Sequence, residues 1–171
     1  MGINEHRKNA LKSVTIGIIT LSSTRTLKND QSGQWISEKA KQEGHDVIYH
    51  KVIPDHKETI SKIILDVIHQ QKPHALLLNG GTGVSPKDLT IESVKPFFEK
   101  ELTGFSALFA QLSFEQIKSA AILSRAAAGI IQNTIVFCMP GSLKAVRLAC
   151  EKLIFPELGH LVNHLWEDAK V

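Results

Sequence analysis

The chain has 171 residues, of which 43% are hydrophobic and 22% charged, with a formal net charge of +3. That length suits one globular domain, and so mild a charge, without a long Lys/Arg run, argues against a nucleic-acid partner while leaving room for a small anion. The polar start Met1-Gly2-Ile3-Asn4-Glu5-His6-Arg7-Lys8 lacks the apolar stretch of a signal peptide, and no apolar run reaches a bilayer span, so a cytoplasmic protein without membrane contact is expected.

Residues 1–12 read as a flexible N-terminal segment and 13–171 as a single domain. Residues 14–21 are β-branched and apolar, and read as a buried strand. Residues 22–31 are polar and read as a loop, after which Ser32 is placed to cap a helix to about residue 42, stopped by Gly44. Residues 47–53 form a second strand, closed by Pro54-Asp55. Ile60, Ile63, Ile64, Val67 and Ile68 then make one helical stripe, which Pro73 ends. Residues 75–78 are apolar without alternation, as in a parallel strand covered on both faces, and Asn79-Gly80-Gly81-Thr82-Gly83 follows at once. Phe105, Leu108, Phe109 and Leu112 mark another helix, while residues 120–123 and 134–139 read as strands. Pro140-Gly141-Ser142 is a turn, with Ser142 able to cap a helix carrying Leu143, Val146, Cys150 and Leu153. Pro156 interrupts, and a last helix carries Leu158, Leu161, Val162 and Leu165. Cys138 and Cys150 lie in apolar positions and are expected as buried, reduced thiols.

This alternation implies an α/β fold in three layers, a mostly parallel sheet with helices on both faces. In such sheets ligands bind beyond the carboxyl ends of the strands. Four turns then share one rim: Ser22-Ser23-Thr24-Arg25, Pro54-Asp55, Gly80-Gly81-Thr82-Gly83 and Pro140-Gly141-Ser142.

The glycine turn permits positive φ and close approach of a ligand to backbone N–H groups, which suits an anion. It has neither the Gly-Lys-Ser/Thr of a Walker loop nor the Rossmann glycine spacing. Asp88 reads two ways, as a helix cap or as a carboxylate sharing Mg²⁺ with a phosphate. Asp55 offers the same choice, a turn and cap or a metal-side carboxylate. Arg25 with Ser22, Ser23 and Thr24 could clamp phosphate or be an ordinary polar loop, and Ser124-Arg125 likewise. His160 and His164 have metal-ligand spacing but face away from the apolar side of their helix, and read as surface residues.

Taken together, these segments resemble the MoaB/Mog family of molybdenum cofactor biosynthesis proteins. The resemblance lies in Leu78-Asn79-Gly80-Gly81-Thr82-Gly83, Asp88-Leu89-Thr90-Ile91-Glu92, Glu101-Leu102-Thr103-Gly104-Phe105, Leu123-Ser124-Arg125-Ala126 with Gly129, and Met139-Pro140-Gly141-Ser142. It extends over residues 13–165. It implies a three-layer α/β homo-oligomer, trimer or hexamer, that transfers AMP from Mg-ATP to the terminal phosphate of molybdopterin and releases pyrophosphate. The adenylylated product would pass to a downstream metal-insertion protein. Asp55 and Asp88 then act around Mg²⁺ and the transferring phosphate. Gly80, Gly81, Thr82 and Gly83 cradle the ligand, with Ser124 and Pro140-Gly141-Ser142 as further site loops. No covalent nucleophile is needed, because the pterin phosphate can attack the α-phosphorus itself. Two departures stand out: Ser23 occupies a position where many members have Asp, and Ile91 one where many have Pro. The loss of a carboxylate at residue 23 opens a second reading, a molybdopterin-binding protein with weak or no transferase activity. A third is a generic nucleotide-binding regulator.

Overall fold

In the computed structural model, residues 11–167 are described. Most of the expected flexible segment 1–12 lies outside them, but the Leu11 N–H already donates to the Gly159 carbonyl at 3.2 Å. Six strands form one mixed sheet in the order β2-β1-β3-β6-β5-β4. They are β1 (Thr15–Leu21), β2 (Asp46–Ile53), β3 (Ala75–Asn79), β4 (Lys100–Glu101), β5 (Ala127–Ile131) and β6 (Thr134–Met139). β2, β1, β3 and β6 run parallel, and β5 runs antiparallel to both its neighbours, β6 and β4.

The hydrophobic pattern explains the layering. β3 is buried at every position, so it needs cover on both faces. On one face Ile60, Ile64, Val67 and Ile68 of α2 (Lys57–Gln70) meet Ile19, Leu76 and Leu78, joined by Val94 of the short α3 (Thr90–Val94). On the other, Ile36 of α1 (Gln31–Gln42), Phe105 and Phe109 of α4 (Thr103–Ile117), Val146 of α5 (Leu143–Ala149) and Leu158 and Val162 of α6 (Phe155–Glu167) pack on Ile16, Ile18 and Phe137. Each fully buried Ile or Leu contributes about 1.5–3 kcal/mol to this arrangement. Cys138 and Cys150 are buried free thiols whose pKa burial pushes up. Among the described residues no helix is long and apolar enough to cross a membrane.

Three local expectations change. α1 is capped by Asp30, whose carboxylate accepts from the Gly33 N–H, and Ser32 is turned elsewhere. Residues 120–123 are not a strand but part of a 3-10 turn, Lys118–Leu123, in which Ile122 is 83% exposed. The strand lies just beyond, at β5, joined to β6 through Gln132-Asn133 with Gln132 at φ 53°, which suits a tight hairpin. Pro156 does not break the last helix. α5 leads into one wide π-turn, Cys150–Ile154, where the Phe155 N–H reaches the Cys150 carbonyl, and α6 continues through Pro156. A widened turn before a residue without an N–H loses little hydrogen bonding.

Candidate active site

Because β2, β1, β3 and β6 are parallel neighbours, the turns that follow them meet at one rim. The antiparallel β5 begins there too, since Ala127 pairs with Cys138 near the end of β6, which brings Ser124 and Arg125 to the same edge. The turns are stitched together. The Ser22 N–H donates to the Ile53 carbonyl and the Gly80 N–H to the Met139 carbonyl. A Cβ on Gly141 would stand 3.0 Å from Gly80 Cα.

Within the glycine turn, Gly80 (φ +101°) and Gly81 (φ +62°) use the left-handed region; Gly83 does not, and is small because a Cβ there would meet Asp88 Oδ2 at 2.7 Å. Four consecutive carbonyls are tied back to the protein. Thr90 Oγ1 donates to Gly80 O (2.8 Å) and the Thr90 N–H to Gly81 O (3.0 Å). Arg125 Nε donates to both Thr82 O and Gly83 O at 3.0 Å. Every described peptide is trans, so the N–H of each plane points opposite to its carbonyl. The N–H groups of Gly81, Thr82, Gly83 and Val84 therefore face away from Thr90 and Arg125, and have no acceptor among the described residues. A run of outward N–H groups is a concavity for anions.

Asp55 and Asp88 flank this turn. Neither caps a helix: α2 has His56 and α3 has Leu89 at the cap position. Asp88 Oδ2 accepts from the Ser85 N–H at 2.9 Å. Asp55 Oδ1 would lie 3.1 Å from a Cβ on Gly81, and it is buried without a partner. Burial, and then the negative charge of Asp88, push the Asp55 carboxyl above its ordinary range. Ser23 lies against it and pulls the value back through its hydroxyl and N–H. Thr82 Oγ1 and Asn79 Oδ1 are two more buried oxygens at the turn without partners. An orphaned carboxylate oxygen beside a second carboxylate, next to an anion cradle, fits a hard cation shared with phosphate oxygens. Among the described residues no three His, Cys, Asp or Glu side chains form a cage, and Mg²⁺ shared with a substrate needs none.

A buried polar network missing from the sequence reading supports the rim from below. Asp30, fully buried, accepts from Thr20 Oγ1 (2.6 Å) and the Gly33 N–H (3.0 Å), with His50 Nε2 at 3.2 Å. Burial alone would raise its pKa, but the bonds from His50, Thr20 and Gly33 outweigh it and hold the carboxyl below its ordinary value. Asn79 donates to Thr20 Oγ1 at 2.8 Å, which links this network to the glycine turn. Arg25 Nη1 lies 3.9 Å from Asp30 Oδ1 and donates to Gly141 O, to which Ser32 Oγ also donates at 2.8 Å. The sequence signal was Asp30 three residues before Gly33, a cap spacing.

The remaining expected residues fall in different settings. Ser22 Oγ accepts from the Arg25 N–H at 3.1 Å and shapes its own loop. Ser142 Oγ accepts from the Ala145 N–H at 3.3 Å as the cap of α5. Arg125 is not a free fork: besides its two carbonyls, Nη1 and Nη2 hold Glu92 at 2.6 and 3.2 Å. Ser124 and Pro140 sit half-buried at the rim. His160 is half-buried rather than on the open surface, with Glu157 Oε2 at 3.1 Å from Nδ1, and packs on the exposed His164 at 4.7 Å between rings.

Sequence and structure comparisons place the chain among known proteins. The signature of a family described as "Probable molybdopterin binding domain" matches residues 17–160. Molybdenum cofactor biosynthesis protein B of Bacillus cereus is 46% identical over 166 residues, covering 96% of this chain and 98% of that protein. The protein of the same name from Bacillus subtilis is 43% identical over 169 residues, 98% and 99% of the two chains. A crystal structure of molybdenum cofactor biosynthesis protein B matches with a TM-score of 0.88 at 45% identity, over 91% of this chain and 98% of the other. The tungsten cofactor synthesizing protein MoaB from Pyrococcus furiosus matches with a TM-score of 0.79 at 34% identity, over 91% and 99%. On this match, nearly end to end in sequence and in fold, the chain belongs to the MoaB family of molybdenum cofactor biosynthesis proteins.

Proposed function

We propose that the chain binds molybdopterin and ATP at the rim and adenylylates the pterin phosphate. The observation that carries this reading is the run of unpaired N–H groups from Gly81 to Val84 beside Asp55, whose Oδ1 is buried without a partner. A phosphate oxygen of the pterin attacks the α-phosphorus of ATP, the bond from that phosphorus to the bridging oxygen breaks, and pyrophosphate leaves. The protein's task is position and charge. The outward N–H groups of the turn bind phosphate oxygens. Gly141 packs against Gly80, so the turn after β6 fixes the turn after β3, and Arg25 on Gly141 adds a positive charge at the same edge. Asp55 and Asp88 would hold Mg²⁺, which when bound neutralises phosphate charge.

A second reading rests on one residue. Ser23 lies against Asp55, at the position where many relatives carry a third carboxylate, so the chain would bind molybdopterin without efficient transfer. Pyrophosphate release from ATP, Mg²⁺ and molybdopterin separates the two. Wild-type turnover supports transfer. Release that emerges only in Ser23→Asp supports the binding protein, and release from neither, with folded protein and verified pterin, removes the enzyme.

We propose further that the chain assembles as a homo-oligomer, trimer or hexamer, through the segment 103–123, whose Leu108, Phe114, Ile122 and Leu123 are 50, 56, 83 and 58% exposed.

A further inference from the structure

Arg125 lies at the rim of a phosphate site, and the simplest role for such a residue is to touch the anion itself. The geometry points elsewhere. Its Nε is spent on Thr82 O and Gly83 O, and its Nη atoms on the two oxygens of Glu92. The pair is partly exposed on both sides, 36% for Arg125 and 43% for Glu92. An ion pair that open to water contributes little to stability. What it does supply is direction. Arg's planar fork meets a carboxylate in two parallel bonds, which leaves Nε aimed at one place.

That place is decisive for the turn. The Thr82 carbonyl shares a peptide plane with the Gly83 N–H, and the Gly83 carbonyl shares one with the Val84 N–H. Neither Thr82 nor Gly83 is in a helix or strand that would fix those planes. Gly83 resists rotation less than other residues. Without Nε, these two planes are free to turn a carbonyl outward, which would present negative charge to the ligand. Thr90 fixes the two preceding planes from inside the fold, through its hydroxyl and N–H.

We infer that Arg125, aimed by Glu92, is a positioning residue that keeps the Thr82 and Gly83 carbonyls turned inward so that the Gly83 and Val84 N–H groups face a phosphate of the ligand. This rests on the reading of the rim as a phosphate site. It assigns Glu92, a negative charge near an anion site, a reason to be there: it is a net repulsion that the geometry of the turn outweighs.

The roles separate by sign. If Arg125 contacts the phosphate directly, Glu92→Ala frees the guanidinium and removes a repelling charge, so anion binding tightens. If Arg125 positions the turn, the same change weakens binding although the local charge has become more favourable. Inorganic pyrophosphate with Mg²⁺ is the probe, and the readout is the amide resonances of Gly81 and Gly83 in protein labelled with ¹⁵N-glycine. In the wild type both resonances shift saturably. In Glu92→Ala, whose altered residue is a half-exposed surface side chain, the Gly83 resonance has moved before any ligand is added, and Kd rises about tenfold, the size of one lost charge-assisted contact. Arg125→Lys keeps the charge but not the fork, and loses affinity to a similar degree. Binding by Glu92→Ala that equals or exceeds the wild type overturns the proposal, as does full affinity in Arg125→Lys or a wild type whose Gly81 and Gly83 amides ignore pyrophosphate. Wild-type shifts without adenylyl transfer would remove the enzyme reading and leave this one standing.

Discussion

Asp55 holds an ionisable group where water is scarce and a like charge is near. Burial, and then Asp88, raise its pKa from the ordinary value of 3.8, against the pull of Ser23. A carboxyl with a raised native pKa binds its proton more tightly folded than unfolded, so its protonation favours folding. That gain is complete below 3.8 and is lost as the pH climbs through the raised native value. In metal-free buffer Asp55→Asn, which cannot ionise, should therefore melt at a higher temperature than the wild type near neutral pH. The gap should close on acidification. Thermal unfolding at the two pH values tests this, and an unchanged or lower neutral melting temperature contradicts it. A carboxyl held at such a cost is what the proposed role of Asp55 beside Mg²⁺ entails.

At the scale of elements, the rim depends on how closely the ends of β1, β3 and β6 approach. Gly80 has φ +101°, and a Cβ there would collide with the Leu21 carbonyl at the end of β1. Gly80→Ala should cost about 2 kcal/mol from the backbone conformation alone, with more from that contact. Urea unfolding should show a lower midpoint with an unchanged slope; an unaltered midpoint would mean the strands can part without penalty. The parallel half of the sheet was legible because its code is simple. β3 is continuous apolar sequence before a glycine turn, and α2 repeats isoleucine and valine at helical spacing. β5 was not legible. It reads Ala127-Ala128-Gly129-Ile130-Ile131, with three small residues of low strand propensity. Gly129 is small because the Phe98 ring lies over it, where a Cβ would collide with it. The run just before it, Ala120-Ala121-Ile122-Leu123, imitates a strand in composition, and a short apolar run does not reveal its own period. Asp30 was illegible for another reason: its role comes from Thr20, His50 and Asn79, which only the folded sheet brings to it. The glycine turn and both flanking aspartates stood out in the sequence, whereas the four inward carbonyls that give the turn its polarity did not.

For the whole molecule, α4 and the turn after it expose large apolar side chains. Leu108, Phe114, Ile122 and Leu123 are each at least half exposed, a patch of the kind that marks a contact between proteins. Ile122→Glu combined with Phe114→Glu should reduce the mass in solution, by light scattering, toward the 18.9 kDa of one chain; an assembly that survives both changes is built on another face. The proposed catalytic rim is organised on the opposite principle, with the N–H groups of the turn after β3 facing outward and two carboxylates beside them. The most direct test is pterin-dependent pyrophosphate release from ATP and Mg²⁺, measured side by side for the wild type and Asp88→Ala at matched molybdopterin occupancy. Steady release by the wild type, reduced by about 100-fold or more in the variant, is the predicted result, and equal release from both, or none from folded wild type with bound pterin, would contradict it.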